Sequence, residues 1–247
     1  MNTRTDKKSG KVSAAVIARN EEATIGEVVS GVLPFADEIL VIDGNSADRT
    51  RELAEGLGAK VFIDGGGGKG DGIRKAIEVA SGDILVFIDA DGSHDPREIP
   101  SLVAPVLAGE ADLVVGSRWT GGSDELFGDI GKFIRSTGSS IITLSINYRW
   151  HVKLTDSQNG FRAISVRAAR AIKLEEDIFT IEQEMIMKCL KQGFIVSEAP
   201  THEYRRKVGE SQILVWKVWH KYVWCLLKNL VKEIAIDDNK VVAWKTS

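Results

Sequence analysis

The chain has 247 residues, 43% of them hydrophobic and 27% charged, with 24 glycines and 5 prolines. That length can bury a full core in one large domain, and the composition excludes collagen-like, low-complexity and disordered classes. A net charge of −3 argues against gripping nucleic acid, and two cysteines exclude a disulfide framework.

No Cys/His spacing fits zinc, and so few cysteines suit a reducing compartment. Residues 1–11 are polar and charged, without the apolar core of a signal peptide, and read as a flexible lead-in. Nowhere do about 18 uncharged apolar residues run together, so a spanning helix is not expected. Val12–Ala18 is a β-branched, apolar strand. Thr24 to Glu27 reads as a capping box, with Ile25, Val28, Val29 and Val32 at helical spacing behind it. Glu38–Asp43 is a second strand. Asn45-Ser46 is placed to cap a helix carrying Leu53, Ala54 and Leu57, which Gly58 closes. Lys60–Ile63 is a third strand, and Ile73, Ala76, Ile77 and Ala80 mark the next helix. Asp83–Asp89 is a strongly apolar fourth strand. Asp95 caps a helix from Pro96 that Pro105 should end or kink, and Asp112–Gly116 is a fifth strand.

Continuous apolar strands separated by amphipathic helices predict a mostly parallel sheet covered on both faces. Ligands of such sheets bind beyond the carboxyl ends of the strands. There lie Arg19 to Glu22, Asp43 to Ser46, Asp64 to Gly72, Asp89-Ala90-Asp91 and Ser117-Arg118, rich in carboxylates, glycines and cations. After Arg118 the pattern changes. Gly121–Asp129 reads as a loop, Ile130–Ile146 as a helix and Asp156–Ile164 as a loop entering a strand. A helix opens at Thr180 and closes at Gly193, followed by strand Phe194–Glu198. This half is expected to be antiparallel or mixed and continuous with the first.

Asp89-Ala90-Asp91 is the sharpest chemical feature. Two carboxylates at a strand end suit Mg²⁺ or Mn²⁺ shared with substrate phosphates, although Asp91-Gly92 also fits a plain tight turn. The run from Gly65 to Gly70 contains G-x-G-x-x-G after the third strand, not the first, and no Gly-Lys-Ser/Thr follows. It fits a flexible loop, or a mobile lid whose Lys69 meets phosphate. Arg74 is spaced to pair with Glu78 on a helix surface. Arg118, Arg135, Arg162, Arg205 and Arg206 stand where guanidinium groups can hold an anion. The four histidines have no metal or triad spacing, and no G-x-S-x-G elbow is present.

In order, Ile17-Ala18-Arg19-Asn20-Glu21, Val41 to Thr50, Lys69-Gly70, Ala80 to Asp83 and Phe87 to Asp91 resemble a family 2 glycosyltransferase with the Rossmann-like GT-A fold. Gly116-Ser117-Arg118, Gly160-Phe161-Arg162 and Gly209-Glu210-Ser211 resemble its dolichyl-phosphate mannose synthase branch. The likeness spans residues 12–212. It implies that Ala18, Arg19, Asn20, Glu21 and Asp43 hold base and ribose. Lys69, Arg74, Asp89 and Ala90 complete the nucleotide-sugar site, and Asp89 and Asp91 hold the cation. It further implies inverting transfer of a hexose to a polyprenyl phosphate, whose phosphate the arginines would hold. GDP-mannose is the first expected donor and a UDP-hexose the second. Ile17 and Arg19 replace a frequent Pro and Tyr, Gly44 a frequent second Asp and Ser93 a frequent Gln, all on the donor side.

Residues 213–247 form a Trp- and Lys-rich amphipathic segment, with Val215, Trp219, Tyr222, Leu226 and Leu230 on one helical face. That face suits either packing on the domain or a membrane interface. The expected location is peripheral, on the cytoplasmic face of a membrane, with room for a membrane-protein partner. Three rival readings remain. A saccharide-acceptor transferase would need Glu182, Glu184 or Asp156 as base. A dinucleotide oxidoreductase would rest on the glycine run, and a membrane-binding scaffold would have no catalysis.

Overall fold

The computed structural model describes residues 10–126, 130–207 and 215–231, without the side chains of 130–135 and 215–217. The chain begins with β1 (Val12–Ala18), α1 (Ile25–Val32), β2 (Glu38–Asp43), α2 (Thr50–Gly56) and β3 (Lys60–Ile63). Then come α3 (Lys69–Val79), β4 (Ile84–Asp89), α4 (Ile99–Ala108), β5 (Leu113–Ser117) and the short α5 (Arg118–Gly121). The second half supplies α6 (Ile130–Trp150), β6 (Arg162–Ser165), α7 (Val166–Ala171), α8 (Ile181–Lys191), β7 (Val196–Pro200) and α9 (Val215–Val231).

The strands form one seven-stranded sheet in the order β3-β2-β1-β4-β6-β5-β7. All pairings are parallel except those of β6, which runs against β4 and β5. The mostly parallel expectation holds, and so does the mixed second half. Strand alternation sends Leu85 and Phe87 of β4 into one core, with α3, α6, α7, α8 and α9. Ile84, Val86 and Ile88 enter the other core, with α1, α2 and α4. Both faces are therefore covered, as apolar parallel strands require.

Three local expectations need correction. The Thr24 hydroxyl makes no cap bond to α1 but turns to the Glu21 carboxylate at 3.1 Å, while Glu27 pairs with Lys207. Asn45 and Ser46 do not cap α2. Asp48 meets the Thr50 amide at 3.0 Å, and Ser46 instead receives the Asn20 amide at 2.8 Å. Pro105 does not end α4, which continues to Ala108 and stops at left-handed Gly109. Asp95 does accept from the Arg97 amide at 2.9 Å, as expected of a cap.

Glycine is essential at the start of α3. A Cβ on Gly70 would lie 2.0 Å from the Glu176 carbonyl oxygen, and the Gly70 amide donates to Asp177 O at 2.8 Å. The end of the glycine run, at Gly68 and Gly70, is thus docked on the loop before α8, while Gly65 and Gly67 lie against Asp71. Arg74 joins the same contact. It bonds Asp177 at 2.6 Å and Glu176 O at 2.8 Å and makes no surface pair with Glu78. Both cysteines are free and buried, and burial pushes each thiol pKa up to about 12.

Glu38 ties the amino ends of the central strands together. Its carboxylate accepts from Ser13 at 2.6 Å, the Ser81 amide at 2.9 Å and Lys60 at 2.8 Å. Burial opposes the charge, but those three donors outweigh it and bring the pKa from 4.5 down to about 2. A depressed folded pKa stabilises above the unfolded value and loses that contribution as pH falls. Glu38→Gln should cost ~1.5–3 kcal/mol at pH 7. The gap to the native chain should close between pH 5 and pH 2, as read from urea unfolding at each pH.

Candidate active site

The chain leaves β1 for β2 and β3 on one side and returns in β4 on the other. Such a switch opens a crevice at the carboxyl ends of β1 and β4. Ile17 stands opposite Asp89, and the Ala90 amide donates to Ile17 O at 3.0 Å. This crevice, about 360 Å³, is lined by Ala18, Arg19, Glu21, Lys69, Asp89, Ala90, Asp91 and Arg206 among others. Most of the expected nucleotide-site residues therefore meet in one place. Asn20 and Asp43 brace its edge instead. Asn20 Oδ1 accepts from the Ala47 amide at 2.8 Å, and Asp43 Oδ2 accepts from the Ser46 amide at 2.9 Å. The other Asp43 oxygen is buried and has no hydrogen-bond partner among the described residues. Arg74, held by the 176–177 loop, is not part of the lining.

Both carboxylates of the Asp-Ala-Asp turn are paired with cations. Asp89 Oδ2 lies 2.9 Å from Lys69 Nζ, and Asp91 Oδ2 lies 3.1 Å from Arg206 Nε. Asp91 is buried, not solvent-facing, and also accepts from the Ser93 amide at 3.0 Å. Lys69 is shared with Glu182, 2.8 Å away. Burial disfavours its charge, but Asp89 and Glu182 outweigh that and raise its pKa above the usual lysine value. Burial likewise opposes ionisation of Asp89, and Lys69 reverses it, leaving the carboxyl below the usual range. Glu21 shifts upward, chiefly through burial, against the Thr24 hydrogen bond. His94 is buried, stacked 5.0 Å from Phe161, and desolvation lowers its pKa.

A second cavity, about 370 Å³, lies between α6 and α9. Ile141, Ile142, Trp219, Tyr222 and Leu226 make its apolar walls, and Arg118, Gln158 and Glu182 give it a polar end. Glu182 thus faces this cavity while touching Lys69, which lines the crevice. One ion pair stands between the two. Gly160 packs closely against that pair. A Cβ there would lie 2.7 Å from Lys69 Nζ, 3.0 Å from Asp89 and 3.1 Å from Glu182.

The arginines separate. Arg118 lines the second cavity but is gripped by Asp156 (2.6 Å) and Glu203 (3.2 Å). Arg206 belongs to the crevice. Arg205 points outward, its side chain 82% exposed and 3.9 Å from Glu125. Arg162 is 1% exposed and donates to the carbonyls of Asn159 and Glu182. It therefore braces the loop and cannot reach an anion in either cavity. The side chain of Arg135 and the Gly209-Glu210-Ser211 motif lie outside the described residues. Of the three candidate bases, Glu184 is buried against the Glu175 and Glu176 amides and Lys188, and Asp156 is held by Arg118. Only Glu182 of the three lines the second cavity.

Sequence reading missed the loop before α8, whose Ile178 and Phe179 line the crevice, and the α6 wall of the second cavity. Neither carries a local chemical motif. Gly160 had a signal, the Gly-Phe-Arg triplet, but its reason is the close approach of three charged groups.

Residues 13–173 match the family Glycosyl transferase family 2. Glycosyltransferase AglJ of Haloferax volcanii is 33% identical over 197 residues, 78% of this chain and 62% of that protein. Undecaprenyl-phosphate mannosyltransferase of Micrococcus luteus is 32% identical over 206 residues, covering 77% and 80% of the two chains. The fold is shared with glucosyl-3-phosphoglycerate synthase of Mycobacterium tuberculosis, solved with Mn²⁺, UDP and glucosyl-3-phosphoglycerate. That match has TM-score 0.71 and 24% identity, over 93% of this chain and 83% of that one. The chain belongs to glycosyl transferase family 2 and has the GT-A arrangement. It spans less than two thirds of AglJ. The dinucleotide oxidoreductase and the non-catalytic scaffold are set aside by this membership.

The Arg118–Asp156 pair supports the polar end of the second cavity. Burial opposes the Asp156 charge, but Arg118 outweighs it and lowers the pKa. Asp156→Ala removes one of two partners from a buried guanidinium and should cost ~3–5 kcal/mol. Urea unfolding checks this, and a cost near that of an exposed pair such as Lys75–Glu78 would contradict it.

Proposed function

We propose that the chain transfers a hexose from a nucleoside-diphosphate sugar to the phosphate of a polyprenyl lipid, with inversion. The observation that carries this reading is the apolar cavity between α6 and α9. Its polar end, Arg118 and Glu182, lies one ion pair from the Asp89–Asp91 crevice. A sugar nucleotide suits the crevice and a lipid tail suits the apolar walls, so the two substrates meet near Lys69 and Glu182. The Micrococcus relative's name, undecaprenyl-phosphate mannosyltransferase, supports a polyprenyl-phosphate acceptor and a mannosyl group; GDP-mannose remains the first expected donor and a UDP-hexose the second.

Asp89 and Asp91 fit a hard divalent cation as Mg²⁺ or Mn²⁺ require. Among the described residues no group of three or more His, Cys, Asp or Glu could hold a metal. Two carboxylates therefore suit a site completed by diphosphate oxygens and water. A bound cation supplies charge neutralisation to the departing diphosphate. Asp43, buried beneath Gly44 and Asn45 of the crevice lining, acts on base or ribose through the turn that its carboxylate holds. The phosphate oxygen of the acceptor attacks the anomeric carbon as the bond to the diphosphate breaks, so an α-linked donor gives a β-linked product. An oxygen that is already anionic has no proton to surrender. Arg118 orients that phosphate, and Arg206 serves the donor side.

A second reading has one specific observation behind it. Glu182 lines the acceptor cavity, where a carboxylate base would serve a hydroxyl acceptor. Transfer to a saccharide hydroxyl, lost in Glu182→Gln and absent with lipid phosphate, would favour it.

Membrane contact belongs to the same proposal. No helix among the described residues is long and apolar enough to cross a membrane. Helix α9 packs Cys225 and Leu226 into the core, so its expected docking face is partly a domain face. Trp219, Val223, Trp224, Leu227 and Val231 stay exposed on α9, as do Ile141, Leu144 and Tyr148 on α6. These flank the cavity and suit a bilayer surface. Trp224→Glu with Leu227→Glu should lower co-sedimentation with anionic liposomes while leaving the melting temperature nearly unchanged.

The primary test measures label from GDP-mannose or UDP-glucose entering an organic phase with undecaprenyl phosphate. Transfer should need Mg²⁺ or Mn²⁺. Asp91→Ala should cut it ~100-fold or more, since charge neutralisation at the leaving group is worth several kcal/mol. Gly160→Ala should also lose ~100-fold, by displacing Lys69, Asp89 and Glu182, and should lower the melting temperature because a buried ion pair is disturbed. Transfer that ignores the cation would sink the metal assignment.

A further inference from the structure

We infer that Lys69 and Arg206 are internal counter-ions that occupy the cation positions of Asp89 and Asp91 until the nucleotide diphosphate draws them away. The inference rests on the proposed donor site and deepens it. Lys69 sits in a built socket. Its ammonium lies 2.9 Å from Asp89, 2.8 Å from Glu182 and 5.4 Å from the centre of the Phe179 ring. Gly160 leaves the space for it, since a Cβ there would stand 2.7 Å from Nζ. Docking of Gly70 on the 176–177 backbone fixes the start of α3, so the lysine enters the socket from a held main chain. Arg206 does the same for the other carboxylate, with Nε 3.1 Å from Asp91 Oδ2.

A divalent ion bound to these two carboxylates must compete with both side chains. Without nucleotide, Lys69 would give up one of two carboxylates, and Arg206 would leave Asp91. A diphosphate changes the balance, because its oxygens offer the two cations new partners while Glu182 keeps a hold on Lys69. Divalent ion and nucleotide should therefore strengthen each other's binding by one common factor, as linkage requires. Lys69 and Arg206 are positioning residues in this scheme. They hold the two carboxylates in place and make the metal wait for its nucleotide.

The test titrates Mn²⁺ into the nucleotide-free full chain and follows free Mn²⁺ by electron paramagnetic resonance. Native protein should bind weakly. Lys69→Met and Arg206→Gln should each bind roughly tenfold tighter or more. Lys69→Arg should stay near native. Lys207→Met makes the same charge change, but that lysine is held by Glu27 at 2.6 Å and should alter Mn²⁺ affinity little. Titrations repeated with UDP and with GDP should tighten Mn²⁺ more in the native chain than in Lys69→Met. Folded Lys69→Met and Arg206→Gln proteins that bind Mn²⁺ no tighter than Lys207→Met would overturn the inference. Should Lys69→Met not fold, Arg206→Gln alone decides. If neither nucleotide changes Mn²⁺ affinity in any form while the tightening persists, the donor-site reading fails and the counter-ion role stands.

Discussion

The shared ammonium of Lys69 is the contact on which the site depends. It joins the start of α3, the end of β4 and the first turn of α8, elements far apart in sequence. Burying that charge is costly unless its partners are close and well placed. Asp89 and Glu182 satisfy this, and neither carboxylate would be comfortable beside the other without the lysine. The surrounding packing serves the same end. Gly70 must meet the 176–177 backbone, and Gly160 must lack a side chain, for the three groups to converge.

Around that contact the protein keeps its polar and apolar work apart. The crevice at the β1–β4 switch is rich in charge, and each charge on the Asp-Ala-Asp turn has a partner. The cavity between α6 and α9 is apolar except at its inner end. Helix α9 can wall this cavity because Gln183 donates to the Tyr222 carbonyl at 2.9 Å and Lys228 pairs with Glu175 at 2.9 Å. Its outward residues then remain exposed beside the cavity mouth. The proposed transfer between a water-soluble sugar nucleotide and a lipid phosphate would need such a division, with the two compartments in contact at one point.

The reversed strand β6 is what brings the second half of the chain to the site. It lies between β4 and β5, so the loop that precedes it passes directly beside the end of β4. Asn159, Gly160 and Arg162 occupy that passage. Arg162 shows how identity and role can part. In the linear order it is one more arginine after a glycine, suited to an anion. In the fold its guanidinium is enclosed by backbone carbonyls, where it holds the loop in shape. Arg205 and Arg206 are neighbours in sequence, yet one faces solvent and the other Asp91.

The residues alone carried the architecture of the first half. Apolar runs of strand length, helical spacing and punctuating glycines are local signals, and they located β1 to β4 and α1 to α3 closely. They also carried the Asp-Ala-Asp turn and its place at a strand end, because carboxylates are too costly to desolvate within a buried apolar strand and fall where it meets solvent or a polar ligand. Three of the motifs that pointed to the family, Ala18 to Glu21, Asp43 to Ser46 and Asp89 to Asp91, sit at such strand ends. Tertiary structure alone decided which charges pair, that the end of the glycine run is docked on the 176–177 backbone, and that Glu182 is the carboxylate between the cavities. Those facts depend on contacts across a hundred residues, such as Arg74 with Asp177 and Lys69 with Glu182. A local pattern can state that a side chain is charged. Only the packed chain sets the distance to its partner, and electrostatics in a low-dielectric interior is governed by that distance.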